Sequence, residues 1–404
     1  MHFGFLIFLC SILSFLGGSA AAATWYVDQS GSAGVPTIQE AVDAAASGDT
    51  IRVGPGFYDD IHFLPPPWEE DLAVVQVRQE ELTIIGAGAG ETIIGQQIDW
   101  EPSQGYPRGI VGGLDNGRNG RLNVHSVGIE GLYHGLLVQG GGVLTVQNCR
   151  FNRTLTSILL YASSVQAADS AFVENCEFGT WDSPLSSNHI WTLGWNYLSA
   201  KSSSFFMREI GINMHVSFDG RELSVDDCQF NDGRLGVGLA CEEAFFNNVV
   251  FNSQEYYGVR PQLGAVTIVN CQINDARAGL FENDYEGVVQ WAVTGLSVTN
   301  VSESTLGYRS LGEGYIRNSI LARGDTYVVK YAFSDQSSAR TDFPVFDMSD
   351  NWWGTTDPDS IRASIYDAND DPSVGVLVEF EPFKTEPLVG VKKSSLSGFK
   401  ALFR

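Results

Sequence analysis

The chain has 404 residues, with 24 Lys+Arg against 48 Asp+Glu, a formal net charge of −24, and a 44% apolar share that supports a large core. That charge, without a basic stripe anywhere, excludes specific nucleic-acid binding and disfavours anionic membranes. Its 44 glycines exceed average usage and predict a turn-rich β protein.

At the N-terminus, Phe3 to Leu16 form an apolar run followed by the small-residue tract Gly17 to Ala23. This pattern predicts a cleaved secretory signal over residues 1–23, although no Lys or Arg precedes it. The run is too short for a comfortable membrane span. The expected mature chain is secreted, extracellular or attached to the cell surface, with no membrane span. Cys10 leaves with the signal. The remaining Cys149, Cys176, Cys228, Cys241 and Cys271 are odd in number and scattered, unlike a disulfide framework.

Next, Ile38, Ala41, Val42 and Ala45 share one helical face, which predicts a short helix over 37–46 stopped by Ser47 and Gly48. Strand-like segments follow around Ile51 to Val53 and Leu82 to Ile85. The glycines 86, 88 and 90 mimic a dinucleotide-binding loop, but strand and not helix comes after them.

From Ser126 onward one octet recurs: apolar, any, apolar, any, Asn or Asp, small, any, apolar. It is clearest at Leu144 to Phe151, Leu223 to Phe230 and Val266 to Ile273. Its nine centres (Ser126, Asn148, Asn175, Ser202, Asp227, Asn248, Asn270, Asn300 and Asn318) are 18 to 30 residues apart, 24 on average. Apolar parity shifts by one at each centre, so both flanks face one interior only if the chain turns a corner there. Asn tolerates the left-handed conformation of such a corner, and stacked corners can form an amide ladder. A unit this short cannot bury its own core, so copies must stack as a solenoid. Cys149, Cys176, Cys228 and Cys271 then share one interior column with Val127, Ser203, Val249 and Ser319, as small buried hydrophobes; an inter-coil disulfide or reactive thiol is the alternative.

These residues, with the opening Thr37 to Ala46, Gly48-Asp49-Thr50-Ile51 and Gly56-Phe57-Tyr58, resemble the right-handed parallel β-helix superfamily that includes pectate lyases and pectinesterases. The resemblance implies an all-β, single-stranded right-handed parallel β-helix of about ten coils behind a short capping helix, spanning residues 24–390. Asn351-Trp352-Trp353-Gly354 through Pro382 is similar to a closing element of uncharacterised secreted bacterial β-helix proteins, placed at about 345–383. Asp367, Asn369, Asp370 and Asp371 make calcium possible, although an EF-hand spacing is missing and a solvated turn is the simpler reading. A basic tail over 391–404 carries Lys392, Lys393, Lys400 and Arg404 without an acid, as a docking element or a frayed terminus.

Sites in solenoids sit where sequence breaks the repeat. Three segments do so: 62–72 with Trp68, Glu69, Glu70 and Asp71; 96–121 with Trp100, Glu101, Tyr106 and Arg108; and 180–197 with Trp181, Asp182, Trp191, Trp195 and Tyr197. Aromatic faces beside carboxylates suit sugar binding, so Trp68, Trp100, Trp181, Trp191, Trp195 and Tyr197 form the expected carbohydrate-binding set. The competing reading makes them satellite cores under long loops. The hydrolase and pectinesterase motifs of the superfamily have no counterparts. Asp284, Glu286, Glu242, Glu243 and Arg260 could converge as a calcium-assisted lyase site. His62, His125, His134, His189 and His215 lack zinc-ligand spacing, and neither a nucleophile elbow nor a phosphate loop is present; no metal or organic cofactor is implied. The leading expectation is a secreted protein that binds a polysaccharide or cell-surface glycan through its inserted loops. The alternatives are a polysaccharide lyase or glycoside hydrolase, and a structural or adhesive surface protein.

Overall fold

The structure, a computed structural model, describes residues 21–32, 34–64, 72–97, 105–113, 120–162, 169–179, 188–206, 209–215, 222–281, 289–308, 311–321, 323–324, 327–331 and 344–388. The expected signal through Ala20 and the basic tail 391–404 lie outside these residues, as do Trp68, Trp100, Trp181, Asp284 and Glu286.

The described chain is a parallel β-solenoid of three faces. Face A is a 14-stranded sheet running from Thr24–Val27 through Asp49–Val53 and Glu81–Gly86 to Leu377–Glu379. Face B follows in each coil, as in Thr92–Gly95, Glu177–Phe178, Ser204–Phe206 and Gln229–Asn231. Face C completes the turn with Leu72–Val77, Pro107–Gly112, Asn188–Leu193, Ile210–His215, Leu235–Ala240 and Ser304–Tyr308. Four long strands, Gly128–Gln139, Arg150–Tyr161, Val250–Pro261 and Gln272–Phe281, run through B into C without a break. Coil-to-coil pairing is parallel; among the described strands only His62–Phe63 pairs antiparallel, against Leu72–Val77. The short helix is Ile38–Ala44, with the Thr37 hydroxyl accepting the Glu40 amide at 3.2 Å. Asp49 ties this end together by accepting from Ala23 N (2.7 Å), Ala46 N (2.9 Å) and Trp25 Nε1 (3.0 Å).

The parity shift is a real corner. Ser126, Asn148, Asn175, Ser202, Asp227, Asn248, Asn270 and Asn318 all have φ between +48° and +57° at the A-to-B edge. One centre is corrected. The pairing Val269↔Thr294 places Gly295 (φ +67°) in this column, and Asn300 belongs instead to a second left-handed column with Arg153, Asp232, Ser253 and Asp275 at the B-to-C edge. The expected amide ladder is best developed beside that second corner. Asn252 Nδ2 donates to Asn231 Oδ1 (2.9 Å), Asn274 Nδ2 to Asn252 Oδ1 (2.9 Å), and Thr299 Oγ1 to Asn274 Oδ1 (2.8 Å).

The residue after the first corner forms the buried column expected from sequence; the described residues include five free, buried cysteines, and four of them stand here. They are more than small hydrophobes. Each thiol donates to the carbonyl two residues back: Cys149 to Gln147 O, Cys176 to Glu174 O, Cys228 to Asp226 O and Cys271 to Val269 O, all at 3.3 Å. In the same column the hydroxyls of Ser203 and Ser319 reach Lys201 O (2.8 Å) and Arg317 O (2.9 Å). Where the column carries Cys or Ser a donor thus engages a carbonyl at the bend, and Val127, Val249 and Leu296 fill it in the other coils. Two residues further, Phe151, Phe178, Phe205, Phe230 and Phe251 stack through the core with centroids 4.6–5.0 Å apart, the coil spacing itself.

At the closing end, Trp353 is buried in the core, edge-on to Phe380 at 6.1 Å, while Trp352 is half-buried and bridges to Ile320. One indole of the pair therefore seals the last coil.

Candidate binding face

The three edges of the solenoid differ in how much chain they carry. Two residues separate the face A strand from the face B segment in eight successive coils, from His125/Gly128 to Thr294/Ser297. Both edges of face C are looser, with eleven residues between Gly95 and Pro107, nine between Phe178 and Asn188, and eight between Tyr161 and Ser170. The repeat-breaking sequence thus brackets one face.

The outward column of face C runs in register through Val111, Leu137, Leu159, Trp191, Asn213, Gly238 and Arg260. Its first part is apolar: Val111 and Leu137 pack with Leu64 and Ala73 in a cluster separate from the main core, and Leu159 lies against it. Trp191 follows, half-buried, and its buried Nε1 has no hydrogen-bond partner among the described residues. The next rung is polar, with Asn213 Nδ2 donating to Asn188 Oδ1 at 3.2 Å. Exposed aromatics flank the strands: Tyr106 is 49% and Tyr161 44% exposed. Tyr106 packs on Tyr133 (4.8 Å), which in turn lies 4.3 Å from His134.

The expected tryptophan set does not form one platform. Trp191 lies on strand Asn188–Leu193 and not on a loop. Trp195 is corrected outright: it has no exposed surface and belongs to the main core, where no sugar can reach it. Tyr197 starts strand Tyr197–Lys201 on face A, packed on Phe172 at 5.6 Å, around the corner from Trp191. Leu137, Leu159, Asn188 and Asn213 escaped the sequence reading. Segments such as Ser157-Ile-Leu-Leu-Tyr161 and Asn188-His-Ile-Trp-Thr-Leu193 are apolar on both parities, and the lost alternation was the available signal.

The electrostatics of face C are unlike the rest of the chain. Past the B-to-C corner its described strand segments carry one acid, Glu255, whereas face A carries Glu174, Glu222, Asp226, Glu243, Asp347 and Glu379. His134 is buried beside Arg108 in register, and burial, aided by that guanidinium, pushes its pKa down to about 3. His189 is fully enclosed between Ser157 (Oγ to Nδ1, 3.1 Å) and the Phe206 carbonyl (Nε2, 2.8 Å); burial lowers it to about 4 against that hydrogen bond. Neither is tuned to act as a general base near neutrality.

The lyase constellation is not assembled by the described residues. Glu242 and Glu243 are exposed, Glu243 opens a face A strand, and Arg260 is half-buried on face C. The possible calcium cluster is a salt-bridged turn. Asp367, fully buried, receives Arg362 Nη2 (2.7 Å), Val378 N (2.9 Å) and Asn369 N (2.9 Å), and Asp370 takes Arg362 Nη2 at 2.9 Å. Among the described residues, no group of three or more His, Cys, Asp or Glu could hold a metal.

Residues 110–273 match the family described as right handed beta helix region, which is the stretch in which all three faces are laid down coil upon coil. That stretch is similar to the right-handed β-helix family, and the fold is a parallel β-solenoid. No curated protein matches its sequence. Among solved structures, this β-helix is similar to the catalytic unit of a thermostable GH87 α-1,3-glucanase from Streptomyces thermodiastaticus strain HF3-3. Identity is 14%, the match covers 94% of this chain and 71% of that one, and the TM-score is 0.47. No helix among the described residues is long and apolar enough to cross a membrane.

Proposed function

We propose that the outer surface of face C binds a polysaccharide chain. The observation that carries this reading is Trp191: a half-buried indole on a rigid strand, in register with Leu159 and Asn213, on the face that both sets of long connections border. An indole ring offers the CH-rich face of a sugar a flat apolar partner, and the amides one rung away serve its hydroxyls. Placement on strands, with only the surrounds on loops, holds such a platform in shape before the ligand arrives. Binding is favoured over turnover because the described strands of face C contribute a single carboxylate, Glu255, and glycoside hydrolysis needs two. This role suits a protein exported by the apolar segment Phe3 to Leu16.

The test is affinity electrophoresis of the mature chain against a panel of soluble polysaccharides. Trp191→Ala is expected to abolish retardation by whichever polymer is bound, while Tyr197→Ala, on face A, leaves it unchanged. Retardation that survives Trp191→Ala and disappears in Tyr197→Ala would falsify the assignment to face C.

A further inference from the structure

We infer that the polymer seated on face C is an uncharged polysaccharide, recognised without calcium; this rests on the reading of face C as a carbohydrate platform and specifies its ligand. The chain carries −24 overall, which repels polyanions at long range, so an acidic polymer needs local cations to be held. Face C presents none that is exposed and unpaired among the described residues. Arg108 is 7% exposed and Arg260 is half-buried, while Arg234, Arg277 and Lys330 are each ion-paired, the first with Glu209 at 2.8 Å and the other two with Glu303 at 2.7 and 3.8 Å. His134 beside Arg108 is held neutral. Bridging by calcium fares no better, because that ion needs several oxygen ligands and the described strands of this face supply only the Glu255 carboxylate, which faces Arg234 at 3.6 Å.

What the face does offer is uncharged and bifunctional. The Asn188 and Asn213 amides, joined at 3.2 Å, keep further donor and acceptor capacity, which matches a sugar hydroxyl that both gives and takes a hydrogen bond. One rung beyond, Gly238 is buried, and a Cβ there would lie 3.1 Å from Leu235 Cδ2 and 3.7 Å from Asn213 Oδ1, so the glycine lets Leu235 pack beside the amide. The apolar step and the amide pair follow one another along the helix axis at the coil spacing of about 4.8 Å. An extended polymer lying along that axis meets them in turn. Seating a carboxylate here would desolvate it with no counter-charge, whereas a neutral hydroxyl is fully served.

The experiment uses the full mature chain in affinity gels containing neutral polymers (mixed-linkage β-glucan, α-glucan, galactomannan, arabinoxylan) or polyuronates (polygalacturonate, alginate), each with calcium and with EDTA. The expected result is retardation by a neutral polymer, at least about tenfold stronger than by any polyuronate, indifferent to EDTA and lost in Trp191→Ala. Asn213→Ala, which removes one amide of the pair, weakens it about tenfold, with an unchanged denaturation midpoint as the control for folding. Trp191-dependent retention of a polyuronate, or loss of binding in EDTA, overturns the neutral-ligand inference and leaves the polysaccharide reading standing. Retention of no polymer overturns both.

Discussion

The A-to-B edge and the two edges of face C are built from the same chain with opposite tolerances. At the first, a left-handed residue and a buried residue after it repeat through eight coils with no change in length, and one core position depends on each. At the others, connections lengthen to eleven residues while the strands between them stay in register. Length is constrained where a corner sets the parity of the next strand, and free where a strand begins afresh. The β-helix therefore keeps its stability at one edge and its variation around one face.

Insertion tests this most severely. One glycine added between Asn148 and Cys149 would turn Phe151 out of the aromatic stack and Arg150 into it, since a one-residue slip exchanges the two faces of a strand. Loss of a buried Phe alone costs about 3–5 kcal/mol, so the variant should fail to fold or unfold at much lower denaturant. The same glycine added between Tyr161 and Ser170 should change stability by less than about 1 kcal/mol. Equal effects in urea denaturation would erase the distinction between the edges.

Acid gives the next largest effect, at the inner side of face C. His189 is neutral in the fold with a pKa of about 4, and near 6.5 when unfolded. Between those values the unfolded chain takes up the additional proton, so stability falls as pH drops from about 6.5 to 4, by about 3 kcal/mol, and levels off below. His134, at about 3, adds a loss of the same sign that extends lower. In His189→Gln, which keeps one amide for the Phe206 carbonyl, the difference in stability between pH 7 and pH 4 should shrink by about 3 kcal/mol. An unchanged difference would mean that His189 is not held neutral.

A smaller effect is expected from the amide ladder beside the second corner. Asn252 both donates to Asn231 and accepts from Asn274, so Asn252→Ala breaks two links and should cost about 1–2 kcal/mol. Asn300→Ala, outside the column to which its sequence pattern assigned it, should cost less than Asn270→Ala at the first corner, and denaturation midpoints in the reverse order would contradict the corrected register.

How much of this was legible in the sequence follows from the same two edges. The A-to-B corner announced itself because the shift in parity at Asn148 or Asn270 is a local, obligatory pattern, and the Cys column came with it. Asn300 misled because the second corner uses the same left-handed residue types, and only pairing partners distinguish Asn300 from Gly295. Face C was obscured for a physical reason: with Leu137, Leu159 and Trp191 outward and Leu136, Ile158 and Ile190 inward, its strands have no alternation to read. Trp195 illustrates the cost. Four residues from Trp191, in a segment without period, it carries the same sequence signal yet points into the core.

The smallest expected effect concerns the Cys column, and it separates two accounts of why cysteine stands there. If the position only needs a small hydrophobe, serine should be poor and alanine adequate. If it needs a donor to the carbonyl two residues back, serine should serve, because Ser203 and Ser319 already make that bond at 2.8 and 2.9 Å. Cys228→Ser is therefore expected within about 1 kcal/mol of the wild type and above Cys228→Ala. Burial pushes Cys228, Cys241 and Cys271 up to about 12, so their thiols should resist alkylation at neutral pH until the chain unfolds. Alanine outperforming serine in urea denaturation would return the column to simple packing, and with it the claim that the first corner is held by hydrogen bonding as well as by shape.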